Sequence, residues 1–394
     1  MRTTKNFTIL AGSIPEKGLP QRPFSPLTLQ FCQDFAHRLQ HHPIANEDAA
    51  WAAFSFWLRP RKLEQYKNLL TFPENRLGRG MTFHIAPANI PTMFLYSFFI
   101  SLLAGNANIV RLSPRLLPKV RPVCEVLSDL LNAPVYQPIK SQNAVLTYGH
   151  DRKITDWFSK HCDSRVIWGG DKTIKEIRKS PLPPMAIDIP FADRYSLAIL
   201  DSDYVASCSE EELKNAVHPF YLDTYEVDQN ACSSPRILLW LDSKGESLAI
   251  AQQRWWQAVT IEIQKYDLAA IKVSRKYAEA WKFAMHTPEI SHFAYASNRL
   301  YVYTLSSLPQ DFTQLSGSFG QFFQFPIRKS GDIIPYMTSK VQTITTLNID
   351  IQALRTQLIQ AGIAGVDRIV PFGQAMDIIW DGRNLLDTLT RIIR

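Results

Sequence analysis

Residues 81–112 read MTFHIAPANIPTMFLYSFFISLLAGNANIVRL, and how this stretch is read decides the fold. It carries no charge before Arg111 apart from any proton on His84, so a hydropathy window flags it as a membrane span. Pro87, Asn89, Pro91, Gly105, Asn106 and Asn108 break it up, however, and its apolar-leaning centre runs only from Met93 to Ala104. A spanning helix needs about 20 apolar residues. The stretch is therefore expected to hold a short strand over 81–85, a buried helix over 91–104 and a second strand over 107–112. Pro91 starts that helix and Gly105 stops it. It is not a membrane anchor.

Working outward, the chain before residue 81 is Pro-rich and then helical over about 25–70, including 31–39 and 48–56. After residue 112 helix and strand alternate: helix 119–131, strand 143–147, helix 154–161, strand 164–168, helix 171–179. Strand and helix in strict turn imply right-handed crossovers and a mostly parallel sheet. A further strand over 196–200 opens a second α/β unit that is expected to run to about residue 375, with long helices at 209–217 and 246–266. Residues 1–200 carry 25 Lys and Arg against 15 Asp and Glu, a net +10, while residues 201–394 carry 18 against 21, a net −3. The change of sign agrees with a boundary near residue 200. The expected organisation is an N-terminal helical and cofactor-binding domain over 1–195, a catalytic domain over 196–375 and a C-terminal segment over 376–394.

Composition narrows the class. With 394 residues, 46% apolar and 20% charged, the chain is too apolar for a disordered protein and too mixed for a fibre. A modest positive field confined to one half suits a phosphate-bearing small ligand; a nucleic-acid lattice demands a denser basic stripe. Cys32, Cys124, Cys162, Cys208 and Cys232 are odd in number and scattered, which argues for a reducing, cytoplasmic compartment and against a disulfide scaffold. No charged-then-apolar leader opens the sequence, so secretion is not expected. His41-His42 has no partner at metal spacing, and no metal is expected.

Three places can carry chemistry. In Asp228-Gln-Asn-Ala-Cys232-Ser-Ser-Pro235, small residues surround a thiol in a turn that enters an apolar strand. A thiolate there can attack a carbonyl, with a nearby backbone N–H holding the oxyanion; the competing reading is a buried structural cysteine. In Phe83-His-Ile-Ala-Pro-Ala-Asn89-Ile-Pro91 a strand end followed by Pro-x-Asn-x-Pro puts a rigid amide at the carboxyl edge of a sheet. Asn89 either donates to a developing oxyanion or merely caps the next helix. In Val166-Ile-Trp168-Gly169-Gly170-Asp171 two glycines at a helix start favour a phosphate, against an ordinary turn with Asp171 as N-cap. Arg111 can bind ribose hydroxyls or a 2′-phosphate, or be a solvated arginine.

Taken in order and spacing, these features resemble the acyl-CoA reductases of the bacterial bioluminescence fatty-acid reductase type, a divergent branch of the aldehyde dehydrogenase superfamily. The resemblance is carried by 84–91, the run Ala104-Gly-Asn-Ala-Asn-Ile-Val-Arg-Leu-Ser-Pro114, Trp168-Gly-Gly170, the turn at Cys232 and Lys340-Val-Gln-Thr343. Most distinctive are Gly365-Val-Asp-Arg-Ile-Val-Pro-Phe-Gly373 and Trp380-Asp-Gly382. The resemblance implies an α/β fold of two Rossmann-like domains with an oligomerisation or tail segment. It implies Cys232 as the acylated nucleophile, Asn89 as oxyanion donor, and Arg111, Ser113, Gly169 and Gly170 as cofactor contacts.

In ordinary aldehyde dehydrogenases a glutamate base lies before the strand matching 196–200; here Phe191-Ala-Asp-Arg194 stands in its place with no glutamate, and the acid weighed as a displaced base is Asp188. Hydrolysing an acyl-enzyme needs a base to activate water, whereas reducing it does not. The expected activity is thus NADPH-dependent reduction of an acyl thioester to an aldehyde, with NADH as the alternative cofactor. The expected partners are acyl-CoA or an acylated protein and further copies of the chain within an acyl-transferring complex. An aldehyde-oxidising enzyme with Asp188 as displaced base, or a non-catalytic acyl-binding subunit, are the competing readings.

Overall fold

The computed structural model describes residues 7–47, 49–376 and 384–394. Its chain divides into two compact units, Met1–Ala192 with Arg383–Arg394, and Asp193–Gly382. The first unit contains β1 (Thr8–Gly12), β2 (Arg76–Gly78), β3 (Met81–Ile85), β4 (Ala107–Leu112), β5 (Asn143–Thr147), β6 (Ser164–Trp168) and β7 (Ile187–Phe191). All but β2 join one sheet in the order β1-β5-β4-β3-β6-β7. Strands β3 to β7 run parallel, and β1 lies antiparallel along β5. The chain steps outward from β3 to β5, then crosses back to β6 and β7 on the other side of β3. Between β3 and β6 the winding direction reverses.

Strands β3 and β5 are buried at every position, which is why they read as continuous apolar runs without alternation. The helix Met93–Leu103 follows β3 with nine of its 11 residues buried. At about 1.5 Å per residue it is roughly half the length needed to cross a bilayer. No helix among the described residues is long and apolar enough to cross a membrane. Phe99 of this helix lies 4.9 Å from Phe35 and 5.5 Å from Phe54, so the N-terminal helices Pro26–Gln40 and Ala49–Trp57 close over it. The expected helix at 48–56 is thus present from residue 49, Asp48 lying outside the described residues.

A buried polar network fastens the middle of this sheet. His84 of β3 bonds Ser97 through Nδ1 (2.8 Å) and Asn108 through Nε2 (3.0 Å). Asn108 donates onward to Asn143 (2.8 Å) and to the Asn106 carbonyl (2.9 Å). Asn106 in turn accepts from the backbone of Arg79 (2.6 Å) and Gly80 (3.2 Å). The run Ala104–Pro114 therefore earns its two asparagines structurally: each satisfies backbone or side-chain groups that would otherwise be buried bare.

The second unit holds β8 (Tyr195–Asp201), β9 (Pro235–Leu241), β10 (Ile290–Ser297), β11 (Leu300–Leu305), β12 (Gln321–Ile327), β13 (Val341–Leu347) and β14 (Arg368–Pro371). They form one sheet in the order β10-β11-β12-β9-β8-β13-β14, parallel except for β10 against β11. Alternate residues feed two cores. Ala198, Leu200, Leu238 and Trp240 pack with Phe220 and Trp255 on one face. Leu197, Ile199, Ile237 and Leu239 pack with Phe283, Ile333 and Leu354 on the other. The helix expected over 209–217 extends through Glu210–Thr224, and that expected over 246–266 covers Leu248–Glu262.

The last residues differ from the expected separate segment. β15 (Thr390–Ile392) returns to the first unit and pairs antiparallel with β2. Arg76 of β2 ion-pairs with Asp387 at 2.8 Å and donates to the Thr390 hydroxyl at 2.5 Å, so a buried guanidinium needs this C-terminal stretch as its partner.

Burial pulls the His84 imidazole down to about 4, whereas an unfolded histidine titrates near about 6.5. Between those values the unfolded chain binds more protons. The neutral, buried histidine therefore adds stability that is complete above about pH 6.5 and lost as the pH falls toward 4. At about 1.4 kcal/mol per pKa unit, roughly 2 kcal/mol should be gone by pH 5. Denaturant unfolding at pH 7 and pH 5 should show this drop, and His84→Gln should flatten it; an unchanged slope in the variant would assign the acid sensitivity elsewhere.

Candidate active site

The first unit gathers five of the sequence-predicted residues on one sheet edge. β3, β4 and β6 are neighbours and parallel, so the segments that follow them leave from the same carboxyl edge, at the place where the winding reverses. Asn89 lies exposed in the turn after β3. The N-cap position of the helix that follows is Thr92, three residues beyond Asn89 and without a side-chain cap bond, so Asn89 is not its N-cap. Gly170 occupies the N-cap of the helix Asp171–Ile177, with Asp171 one position inside it, so the expected Asp171 cap is displaced by one residue. A Cβ on Gly169 would stand 3.0 Å from the Thr173 side chain, which would have to give by a few tenths of an ångström to admit it.

Arg111, near the end of β4, donates to the Tyr148 carbonyl at 3.0 Å and lies 5.2 Å from the Tyr148 ring centroid. It is half-buried and oriented, and so is not the solvated arginine of the alternative reading. Ser113 is half-buried and opens the turn Pro114–Leu116. Trp168 ends β6 and stacks on Phe191 of β7 at 3.9 Å and 8°, its indole N–H donating to Ser97. An oriented guanidinium, two glycines and a flat aromatic ledge at a switch-point edge fit a phosphate-bearing dinucleotide.

Asp188 of β7 is no free base. Its two oxygens accept from Arg165 (2.9 Å) and Arg178 (2.8 Å). Arg165 is buried and also donates to the carbonyl of Ser180 and the hydroxyl of Ser159. Removing the carboxylate would strand a buried cation, so its role is structural.

Cys232 belongs to the second unit and sits in the turn that enters β9, at the amino edge of that sheet. The turn begins with two non-glycine residues in the left-handed region, Asp228 at φ 55° and Gln229 at φ 54°. Each such position costs on the order of 1 kcal/mol or more and persists only where its surroundings fix it. Gln229 is buried, and its side-chain oxygen accepts from the backbone N–H of Gly320 (2.7 Å) and Gln321 (3.1 Å). Its amide nitrogen donates to the carbonyls of Gln321 (3.2 Å) and Pro235 (3.4 Å). Asp228 accepts from Tyr266 (2.5 Å) and Lys272 (2.8 Å). On the far side of the turn the Ser196 hydroxyl donates to the Cys232 carbonyl at 2.7 Å and accepts from Thr343 N–H at 3.1 Å.

The other four thiols are buried. Burial pushes Cys124 and Cys162 up to about 12 and raises Cys32 and Cys208. Cys232 is half-buried. Among the described residues no group of three or more His, Cys, Asp or Glu could hold a metal ion.

Sequence reasoning missed Ser196 and Asp223. Asp223 does leave a signal: it continues the buried stripe Leu213, Ala216, Val217, Phe220 of its helix, where an acid needs a partner. Of the motifs that carried the resemblance, Trp380-Asp-Gly382 lies outside the described residues.

The family model for acyl-CoA reductase (LuxC) matches residues 59–392. No curated protein matches the chain by sequence. In fold it is similar to lactaldehyde dehydrogenase from Escherichia coli, at a TM-score of 0.62 and 8% identity over 93% of this chain and 86% of that one. It is equally similar to an NAD-dependent benzaldehyde dehydrogenase from Corynebacterium glutamicum, at a TM-score of 0.63 and 10% identity over 93% of this chain and 84% of that one. At such identities the likeness establishes the aldehyde-dehydrogenase fold that the sequence led one to expect.

A thiol at about 12 is only about one part in 10⁴ thiolate at pH 8, and the thiolate is the reactive form. Iodoacetamide at pH 8 should therefore label the native protein once, on the peptide holding Cys232. Labelling that begins at Cys124 or Cys162 would mean that the described burial is not the solution state.

Proposed function

We propose a function from one established premise: the chain belongs to the acyl-CoA reductase (LuxC) family. The protein reduces the acyl group of a thioester, carried on CoA or on a partner protein, to the aldehyde through an acyl-cysteine intermediate. The Cys232 thiolate attacks the carbonyl carbon. The Asn89 amide, with a backbone N–H, carries the charge that develops on oxygen. The donor thiolate departs and is protonated, leaving the acyl group on the cysteine sulfur. A reduced nicotinamide, NADPH or with lower preference NADH, supplies hydride to the acyl carbon when bound. Gly169, Gly170, Ser113 and Arg111 hold that cofactor. Breaking the C–S bond of the reduced adduct then returns the thiolate and frees the aldehyde.

The observation that carries this reading is the Cys232 turn. A strained backbone is held by buried side chains so that the one half-buried thiol of the five sits in a fixed place. The ion-paired state of Asp188 supports reduction over hydrolysis, since activating water calls for a carboxylate free to take its proton. The scattered cysteines suit a reducing, cytoplasmic compartment, and assembly into a homo-oligomer belongs to the same reading.

Incubation with acyl-CoA and no nicotinamide should add one acyl group to the intact protein, mapped to Cys232 and released by NADPH as aldehyde. Cys232→Ala should remove label and turnover; Asn89→Ala should slow acylation by about 10²–10³-fold, the scale of one oxyanion donor. Near-wild-type reduction by Cys232→Ala would sink the covalent mechanism. Steady acid formation from aldehyde without CoA would favour oxidation instead.

The cofactor assignment has its own test. A charged hydrogen bond is worth about 1.5–3 kcal/mol, so Arg111→Ala should weaken NADPH by about tenfold or more beyond any effect on NADH. Equal loss for both would reduce Arg111 to its hold on the Tyr148 carbonyl.

A further inference from the structure

The motif Gly365–Gly373 is the most distinctive stretch of the chain, yet none of its side chains enters the chemistry above. Its bonds show what it builds. Gly365 is packed so tightly that a Cβ would run into the Thr338 carbonyl. Val366, at φ 62°, turns the chain onto β13, where Val366 and Asp367 donate to the carbonyls of Val341 and Gln342 at 2.8 Å each. Asp367 also ion-pairs with Arg194 at 2.9 Å. Strand β14 follows, and then Phe372 enters the aromatic core 5.3 Å from Phe220 and 5.7 Å from Trp255.

The four residues beyond Phe372 form no helix or strand, and two side chains of opposite charge hold their backbone. Asp223, 1% exposed, accepts from Gly373 N–H at 2.7 Å and from Ala375 N–H at 3.0 Å. Arg368 of the motif donates to the Gln374 carbonyl at 2.6 Å and the Ala375 carbonyl at 3.0 Å. Gly373, at φ 85°, lies where a Cβ would stand 2.9 Å from Pro219. In the loop so fixed the Met376 sulfur accepts from the Ser233 hydroxyl at 3.7 Å, one residue from Cys232.

We infer that this motif is a clamp: it sets the loop 373–376 against the nucleophile turn, Met376 limits the size of the acyl group that Cys232 accepts, and Asp223 is the positioning residue. The inference rests on Cys232 being the acyl acceptor. Asparagine at 223 has the same shape but accepts through one oxygen, and its NH2 must face a backbone N–H, so the loop loses one of the two bonds that Asp223 gives it. Alanine at 376 removes the side chain that touches Ser233.

The full-length protein is alkylated with iodoacetamide and with its N-hexyl derivative, and the rate at Cys232 is read by intact mass and peptide mapping. The readout is the ratio of the long to the short reagent. Met376→Ala should raise that ratio by about tenfold, the scale of one or two methylenes in an apolar pocket. Met376→Leu, of similar volume, should leave it near wild type. Asp223→Asn should move the ratio in the same direction as Met376→Ala. A ratio unmoved by Met376→Ala, or both reagents changed by one common factor in Asp223→Asn, overturns the inference. Should Asp223→Asn fail to fold, the two Met376 variants still decide it. If acyl-CoA leaves no acyl group on Cys232 while the ratio moves as stated, the clamp stands and the proposed reaction fails.

Discussion

The side-chain amide of Gln229 is the interaction on which the turn carrying Cys232 depends. It is buried, and it closes two acceptor and two donor bonds to three residues in two segments: Gly320 and Gln321 at the start of β12, and Pro235 at the start of β9. A buried amide with all its bonds made costs little, whereas the same amide with bonds missing costs about 1–3 kcal/mol per orphaned group. That asymmetry makes the arrangement all-or-none. The left-handed Asp228 and Gln229 are tolerated because leaving them would unmake the whole set. The position of Cys232, three residues on, is inherited from this constraint and from the Ser196 bond to its carbonyl.

The two units use opposite edges of their sheets. In the first, Asn89, Arg111, Ser113 and the two glycines follow the carboxyl ends of β3, β4 and β6, where strands on either side of the switch point send their connections apart and leave a crevice. In the second, the thiol precedes β9 and is tied by Ser196 to the amino end of β8. A rule that looks for ligands at carboxyl edges finds the first set and passes over the second. What identifies the second is strain and burial: two left-handed residues, a buried amide and a half-buried sulfur in five residues of chain. Backbone strain held by buried polar groups is a stronger pointer here than topology.

Much of this was legible in the sequence where local pattern and tertiary need agree. Strands β3, β4, β5 and β6 occupy the residues expected of them, because a strand buried on both faces is a short apolar run cut off by Gly, Pro or Asn. The helix Glu210–Thr224 runs past its expected end at 217 with Pro219 inside it, the buried face Phe220, Tyr221, Asp223 and Thr224 carrying it on although an interior proline gives up one backbone bond. The return of β15 to β2 joins residues more than 300 positions apart and leaves no local trace; only the buried Arg76, which needs Asp387, demands it. Asn89 and Gly170 were ambiguous for a different reason. Capping and ligand binding use the same residue types, and which one is meant depends on where the helix starts, a boundary sequence fixes only to within a residue or two.

The fate of an acyl-cysteine depends on whether water or hydride reaches its carbon first. Water is weakly nucleophilic until a base takes its proton, so an enzyme that reduces must keep bases away as firmly as one that hydrolyses must hold one in place. Residues 187–194 hold an ion-paired aspartate, Asp188, and a stacked aromatic, Phe191, but no glutamate. Asp188 balances the buried Arg165, and Phe191 lies flat on Trp168. Asp188 is not freed by a small movement, since that leaves the buried Arg165 guanidinium uncompensated, at a cost of several kcal/mol. On the function proposed above, the groups that stabilise the edge of the first unit's sheet also favour reduction over hydrolysis, by charge pairing and apolar contact.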